Sequence, residues 1–569
     1  MLSGAAGVRS WDALRPELAA GVTVDSPLTD GAPWVIAVDA VPRARVGDDF
    51  ARVARLLDGR RSLREAVRSA GVAADSVQAF AVVDALAAAR LLRTNAPHEL
   101  GDRRLRHGIR RGAGRSGIRF RYRAPLTFQW MIFDPSPLAR VLARPFRVRG
   151  FAAACTFAAA VLLALAALST AVDFASIVGV LAAPMPAGLL PGILVAIVLT
   201  GCLHELSHAV TLAAMGGRPS RMGIMLLYLM PAFFCDVTDG WRIGERWRRA
   251  AVALAGPALH LVLAAASFAS LLVVDAPDPR AFLVLYGSAC AVAVIANLIP
   301  FLKLDGYLAL VAITDTPYLR ANAVAAAQCA SARLLFGGKA LKDAPRSSPA
   351  LVVFGALCVL FPILLFVWAS IRLQTAFLGM GPWMALTYLA LVVAFLVVMA
   401  RRIAGFFAAG WRNRLGFGRA AAGTSTVLVA VGVLLLAPVQ VTVHAGFMVH
   451  DDGVLLVAST QSVLEPVHRG DRVRLSVNGI VFRPEVGTGV VGGSGSDVDV
   501  ALTAIAPVAA SSSTMPGWGR PLRDVTSSDS LPPAGAADVD AGGARPAGAF
   551  LLDVLVLEPM QVVLSGGSK

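Results

Sequence analysis

Long apolar runs, separated by short polar segments, dominate the chain between about residues 150 and 445. Runs of eighteen or more apolar residues are the signature of helices that cross a bilayer. Seven such runs are legible, at roughly 150–172, 188–214, 248–274, 281–303, 349–371, 377–400 and 424–445. The stretch "GIMLLYLMPAFFCDV" between the second and third is apolar but too short to span. It reads as a re-entrant hairpin or a membrane-embedded strand pair, which needs cover from protein or a water-filled cavity. Before the runs, Trp34–Ala37 is strand-like and two short helices follow. Ser62 and Glu65 form a capping-box pattern at the start of the second. A third helical segment is expected from about Val77 to Ala89. After Ala445 the pattern turns strand-like in "DGVLLVAST" and "DRVRLSVNGIVF". A Gly/Ser/Pro-rich stretch over about 508–549 reads as a flexible insertion, and "AFLLDVLVLEPMQVVL" closes a small β-rich domain.

The expected fold class is therefore mostly α: a polytopic membrane helix bundle of about seven spans. A winged-helix-like domain precedes it and a small β-rich domain follows. The expected order is an extension (about 1–30), the winged-helix-like domain (31–96), a basic juxtamembrane linker (97–148), the membrane domain (149–446) and the β-rich domain (447–569).

Composition agrees: 56% of the 569 residues are hydrophobic and only 16% charged, unlike a soluble globular protein. The net charge of +15 at pH 7 admits nucleic-acid binding, but the basic residues sit between particular apolar runs. The first loop has no Lys or Arg, and the second carries Arg218, Arg221, Arg242, Arg246, Arg248 and Arg249. The third sets Asp275 and Asp278 against Arg280, and the fourth carries Arg320, Arg333, Lys339, Lys342 and Arg346. The fifth holds Arg372, and the sixth carries Arg401, Arg402, Arg412, Arg414 and Arg419. This alternation places the N-terminus in the cytoplasm and the C-terminus outside, and accounts for the charge without nucleic acid. The linker "RRLRHGIRRGAGRSGIRFRYR" suits an anionic lipid surface. The six cysteines have no paired spacing, so neither disulfides nor zinc fingers are expected. The N-terminus lacks the apolar core of a cleaved signal peptide.

The chemistry lies in the second span, in "GCLHELSHAV". His204 and His208, four residues apart, share one helix face and can converge on one metal ion, with Glu205 in reach of its bound water. Ionisable groups inside a membrane helix cost several kcal/mol unless paired or ligated. A third ligand is required, and Asp305 in "NLIPFLKLDGYLAL" is the candidate. The charge-derived topology brings its span end to the same side as His204 and His208. Pro300 and Gly306 loosen the helix there, and Asn297 is placed to bond a substrate backbone or orient the site.

HExxH in one span with Asn297, Pro300, Leu304, Asp305 and Gly306 in a later one resembles the site-2 protease class of intramembrane zinc metalloproteases. The resemblance implies Zn²⁺ held by His204, His208 and Asp305, Glu205 as general base, and peptide-bond hydrolysis in or near the membrane. In "AGPALH", His260 stands where the family commonly has Asn. No PDZ-like domain interrupts the spans. The segment from Leu226 to Pro257 resembles peptide zinc metalloproteases of ribosomal-peptide clusters, with daptide-type maturation proteases nearest. Asp236 and Asp239 belong to that segment. "LLDGRRSLREAV" resembles PqqD-like leader-binding domains. The expected activity is leader removal from a ribosomally made precursor peptide, with the bilayer and an exporter or modifying enzymes as partners. The alternatives are regulated intramembrane proteolysis of an anchored regulator such as an anti-sigma factor, and a non-catalytic export or immunity protein on the same fold.

Overall fold

A computed structural model of the chain describes residues 15–28, 32–38, 41–72, 86, 91–94, 119–123, 127–227, 230–336, 347–379, 381–412, 417–450, 452–509, 513–527 and 530–565. The molecule is mostly helical and divides into two compact units. One comprises Met1–Leu163, Ala196–Ala264 and Cys290–Pro317; the other comprises Ala164–Val195, Ala265–Ala289 and Tyr318–Lys569.

In the first unit, strands β1 (Pro16–Leu18), β2 (Val22–Asp25), β3 (Trp34–Val38) and β4 (Val41–Val46) precede helices α1 (Asp48–Arg55) and α2 (Leu63–Ser69). The expected strand at Trp34 and the two short helices are present. Helix α2 opens on the full capping box: the Ser62 hydroxyl accepts from the Glu65 N–H, and the Glu65 carboxylate accepts from the Ser62 N–H. Ile36, Val53, Ala54, Leu57, Leu63, Ala66 and Val67 form the core beneath these elements. The sheet runs β2-β3-β4, and β1 pairs with β5 (Leu92–Thr94). Of the expected third helix, Leu86 is helical and the rest lies outside the described residues.

Part of the expected linker folds into sheet. Strands β6 (Arg119–Arg123) and β7 (Thr127–Phe133) join β8 (Met222–Leu227) and β9 (Met230–Cys235) in an antiparallel sheet of order β9-β8-β7-β6. The apolar stretch of the second loop is thus a strand pair. Gly223 lets β8 approach β7, because a Cβ there would fall 2.0 Å from the Trp130 carbonyl oxygen.

Helix α3 (Ser136–Leu142) leads to α4 (Phe151–Val172), α5 (Phe174–Ala182), α6 (Leu190–Ala214), α7 (Arg246–Ser270), α8 (Pro277–Leu298) and α9 (Asp305–Thr314). Then follow α10 (Leu319–Phe336), α11 (Pro349–Gly379), α12 (Pro382–Arg412) and α13 (Phe417–Leu436). Among the described residues, seven helices are long and apolar enough to cross a membrane: Phe151–Val172, Ala187–Ala214, Arg246–Ser270, Pro277–Leu298, Pro349–Gln374, Pro382–Ala408 and Ala547–Leu564. The first six correspond to expected spans. The seventh does not: the expected run at 424–445 is helical only to Leu436, and a strand begins at Pro438. Proline ends the helix, and the β-branched "VQVTV" behind it favours extended chain.

That strand opens the C-terminal domain of the second unit. Strands β10 (Pro438–His450), β11 (Gly453–Ala458), β12 (Arg472–Ser476), β13 (Glu485–Val491), β14 (Ser496–Ala501), β15 (Thr514–Ser527) and β16 (Ala534–Pro546) build it. The ring β11-β10-β16-β12-β13-β15 closes through the pairing of β11 with β15, giving a six-stranded barrel with β14 as an added strand on β15. Phe447, Leu456, Val473, Leu475, Val491 and Val539 fill it. The stretch expected to be a flexible insertion supplies its two longest C-terminal strands. Its glycines sit at crowded points: a Cβ on Gly535 would fall 2.5 Å from the Ser476 oxygen, and one on Gly517 2.5 Å from that of Ala458. The closing segment, expected as part of the β-rich domain, is helical. Its apolar stretches are too short for their period to separate helix from strand.

Candidate metal centre

Helix α6 carries His204, Glu205 and His208, one turn apart on a buried face. The chain reaches the third residue by breaking. Helix α8 ends at Leu298, residues 299–304 are non-helical around Pro300, and Asp305 opens α9. Asp305 was expected at the end of the fourth span; it is instead the first residue of a separate helix, where the helix dipole favours a carboxylate. Gly306 makes the return possible, because a Cβ there would fall 2.5 Å from the Leu298 carbonyl oxygen.

These elements bring three donors together. Asp305 Oδ2 lies 3.0 Å from His204 Nε2 and 3.4 Å from His208 Nε2. The two Nε2 atoms are 3.3 Å apart. His208 Nδ1 lies 2.7 Å from the Val252 carbonyl oxygen, which only accepts, so Nδ1 carries the proton. In the neutral imidazole Nε2 then presents a lone pair toward Asp305. Oδ2 of Asp305 is buried and has no hydrogen-bond donor among the described residues. Buried lone pairs facing one another at this range repel unless a proton or a metal cation lies among them.

The donor set fits Zn²⁺. Ligand distances of 2.0–2.1 Å in a tetrahedral shell put ligand atoms about 3.3 Å apart, close to the three separations here. Among the described residues, these three are the group able to hold a metal ion. The Val252 carbonyl fixes the tautomer and ring plane of His208, as outer partners of zinc histidines do.

Searches against family models, curated proteins and solved structures return no match. The likeness to site-2 proteases therefore rests on the motif residues themselves.

Other expected residues are placed as follows. The Glu205 carboxylate is partly buried and lies within reach of the Cys235 backbone N–H at the end of β9. Asn297, in the last turn of α8, donates from Nδ2 to the Ala293 carbonyl at 2.9 Å. The His260 ring is 5.1 Å from that of His204, and its Nδ1 is buried with no partner among the described residues. Asp236 and Asp239 organise the loop after β9. Asp236 accepts from Ser220 Oγ at 3.0 Å and from the Thr238 N–H, and Asp239 accepts from the Arg218 N–H at 2.7 Å and from Arg242 at 3.0 Å.

Two contributors have no signature in the sequence. Val252 acts through its backbone oxygen, which any residue would offer. Gly256 acts through an absence: a Cβ there would fall 2.4 Å from His204 Nε2 and 2.6 Å from His208 Nε2. The one signal is the Gly-Pro step at Gly256–Pro257 inside α7, where proline removes a helical hydrogen bond.

Proposed function

We propose that this chain is an intramembrane zinc metalloendopeptidase that removes the leader from a ribosomally made precursor peptide. The observation that carries the reading is the convergence of His204 Nε2, His208 Nε2 and Asp305 Oδ2 within 3.0–3.4 Å beside Glu205. Zn²⁺ held by those atoms would supply Lewis acidity and an acidified water. Glu205 would take the proton of that water and pass it to the leaving amine nitrogen. The Cys235 N–H would orient the Glu205 carboxylate, and the lone pairs of Asp305 and His208 are aimed by α9 and by Val252. Strand β9 pairs with β8 alone among the described residues, so its outer edge can accept an extended peptide. Phe233 of this strand packs on Gly201, one turn before His204.

We read the N-terminal domain as the winged-helix-like leader-binding element, on its strand-helix order and its resemblance to PqqD-like domains. Arginine-rich loops put this domain and the metal centre toward the cytoplasm. Loop-charge alternation over seven spans gave the expectation of an outside C-terminus. Ala547–Leu564 follows the barrel and is long enough to add a crossing that would return the chain to the N-terminal side.

Co-expression of the full chain with a candidate precursor, a small open reading frame neighbouring its gene, tests the activity by mass spectrometry of the product. Glu205→Gln is expected to lose cleavage by about 10²-fold or more while keeping the metal. Undiminished cleavage by that variant would overturn the protease reading.

A further inference from the structure

We propose that a cleft between α3 and the end of α6 binds the phosphate of an anionic phospholipid, and so anchors the metal-bearing helix at the bilayer surface. The cleft is a cavity of about 230 Å³ lined by Ser136, Arg140, Arg147, Arg218 and the small residues Ala213, Gly216 and Gly217. Three guanidinium groups border it and all three side chains are exposed. Among the described residues their local commitments are slight. Arg140 Nε donates to the Ser136 carbonyl at 3.2 Å, and Arg218, with its side chain 76% exposed, donates from Nε to Ser136 Oγ at 3.5 Å and reaches Asp134 at 3.6 Å. Guanidinium is the side chain best shaped to grip a phosphate by two parallel hydrogen bonds.

The surroundings select a lipid over a free anion. Leu138, Val141, Leu142 and Phe146 are each more than 40% exposed, and they share one short stretch with Arg140, Arg144, Arg147 and Arg149. Apolar side chains beside arginines, immediately before a spanning helix, describe a segment lying in the headgroup layer. The first candidate span begins at Phe151, four residues after Arg147, and the second ends at Ala214, beside Gly216 and Gly217. The cleft therefore sits where two spans meet the surface.

The face of α3 that adjoins the cleft explains what the anchor would do. Ala139 and Ala143 are fully buried against Ala209 and Ala213 of α6, with Leu206 and Val210 alongside. Ala209 follows His208 directly. Methyl-to-methyl packing leaves no slack, so a lipid that fixes α3 at the headgroup level also fixes the depth of His204 and His208. The inference does not rest on the protease reading.

Native mass spectrometry of the full-length protein in detergent provides the test, with phosphatidylglycerol titrated in, then phosphatidylcholine, then inorganic phosphate. The expected result is retained phosphatidylglycerol adducts that the triple variant Arg140→Gln, Arg147→Gln, Arg218→Gln weakens about tenfold or more. Phosphatidylcholine and matched inorganic phosphate should leave those adducts in place. Arg401→Gln with Arg402→Gln removes charge elsewhere and should cost little. Each single variant, checked for an unchanged melting temperature, should give a partial loss, which keeps the test valid if the triple variant misfolds. Equal loss in the control variant, unchanged adducts in the triple variant, or displacement by inorganic phosphate would each overturn the proposal.

Discussion

Gly256 faces both histidines across a gap that one methyl group would fill. Its Cβ would lie 2.4 Å from His204 Nε2, closer than any non-bonded carbon approaches nitrogen, and 2.6 Å from His208 Nε2. Alanine is otherwise the better helix former, by about 1 kcal/mol. Gly256→Ala should therefore leave α7 helical while pushing it off α6, which also drags the Val252 carbonyl away from His208. If the site holds Zn²⁺ as proposed, the expected outcome is a folded protein with less than about a tenth of the zinc carried by the unaltered chain, because outer-partner losses alone typically cost 10–100-fold in affinity. Elemental analysis of the purified protein reads this directly, and full zinc occupancy in the variant would remove Gly256 from the site. Asp305, His204 and His208 were legible because each carries a chemical group at a recognisable spacing. Gly256 and Val252 were not, because what they contribute is space and a backbone oxygen.

Helices α7 and α9 are tied together at the end away from Asp305. Arg249, with 4% of its side chain exposed, donates to the carbonyls of Ile243, Gly244 and Ala312 and pairs with Asp315 at 2.6 Å. Arg45 of β4 reaches the same Asp315 carboxylate at 2.8 Å and the Trp241 carbonyl at 3.1 Å. The N-terminal domain thus holds the last residue after the helix whose first residue is Asp305. Asp315 takes a left-handed conformation, φ 50°, which Asn also tolerates. The two partners should therefore respond differently. Arg249→Met takes the buried donor from the Gly244 and Ala312 carbonyls and leaves Arg45 alone on Ile243 and Asp315, and should cost about 2–3 kcal/mol by the scale for hydrogen bonds to charged groups. Asp315→Asn keeps the backbone and an acceptor at a half-exposed position, and should cost about 1 kcal/mol or less. Thermal unfolding of both variants in one detergent checks the order; a larger loss in Asp315→Asn would show that the ion pair, not the carbonyl contacts, holds the helices. The sequence marked Arg249 only as part of a basic loop, since its partners lie 66 residues on and in backbone atoms.

At the scale of the molecule, loop charge and run length made six of the seven candidate spans legible, because both properties are local. The chain after Leu436 was not, because the decisive facts there are pairings. Residues 514–527 and 534–546 became barrel strands through neighbours that no local pattern announces, and their glycines at Gly517 and Gly535 mark close approach rather than freedom. The barrel also decides where the chain must go next. Its first and last strands run side by side, with Pro438 opposite Pro546 and the Ala547 N–H donating to the Ala437 carbonyl at 2.9 Å. Helix α13 therefore delivers the chain to the barrel at the point from which Ala547–Leu564 departs. Ala547–Leu564 is one of the seven candidate spans; the apolar part of α13, Ala421–Leu436, is shorter, and with its first turn the helix reaches 20 residues, about 30 Å, the thickness of a hydrocarbon core. If one crosses, hydrophobic burial favours the other crossing beside it. A fluorescent protein that matures only in the cytoplasm, fused after Lys569, should therefore be bright, and alkaline phosphatase inserted at Gly493 in the barrel should be active. Phosphatase activity at Lys569 with a dark fluorescent fusion would mean that the last helix lies along the surface and leaves the C-terminus with the barrel.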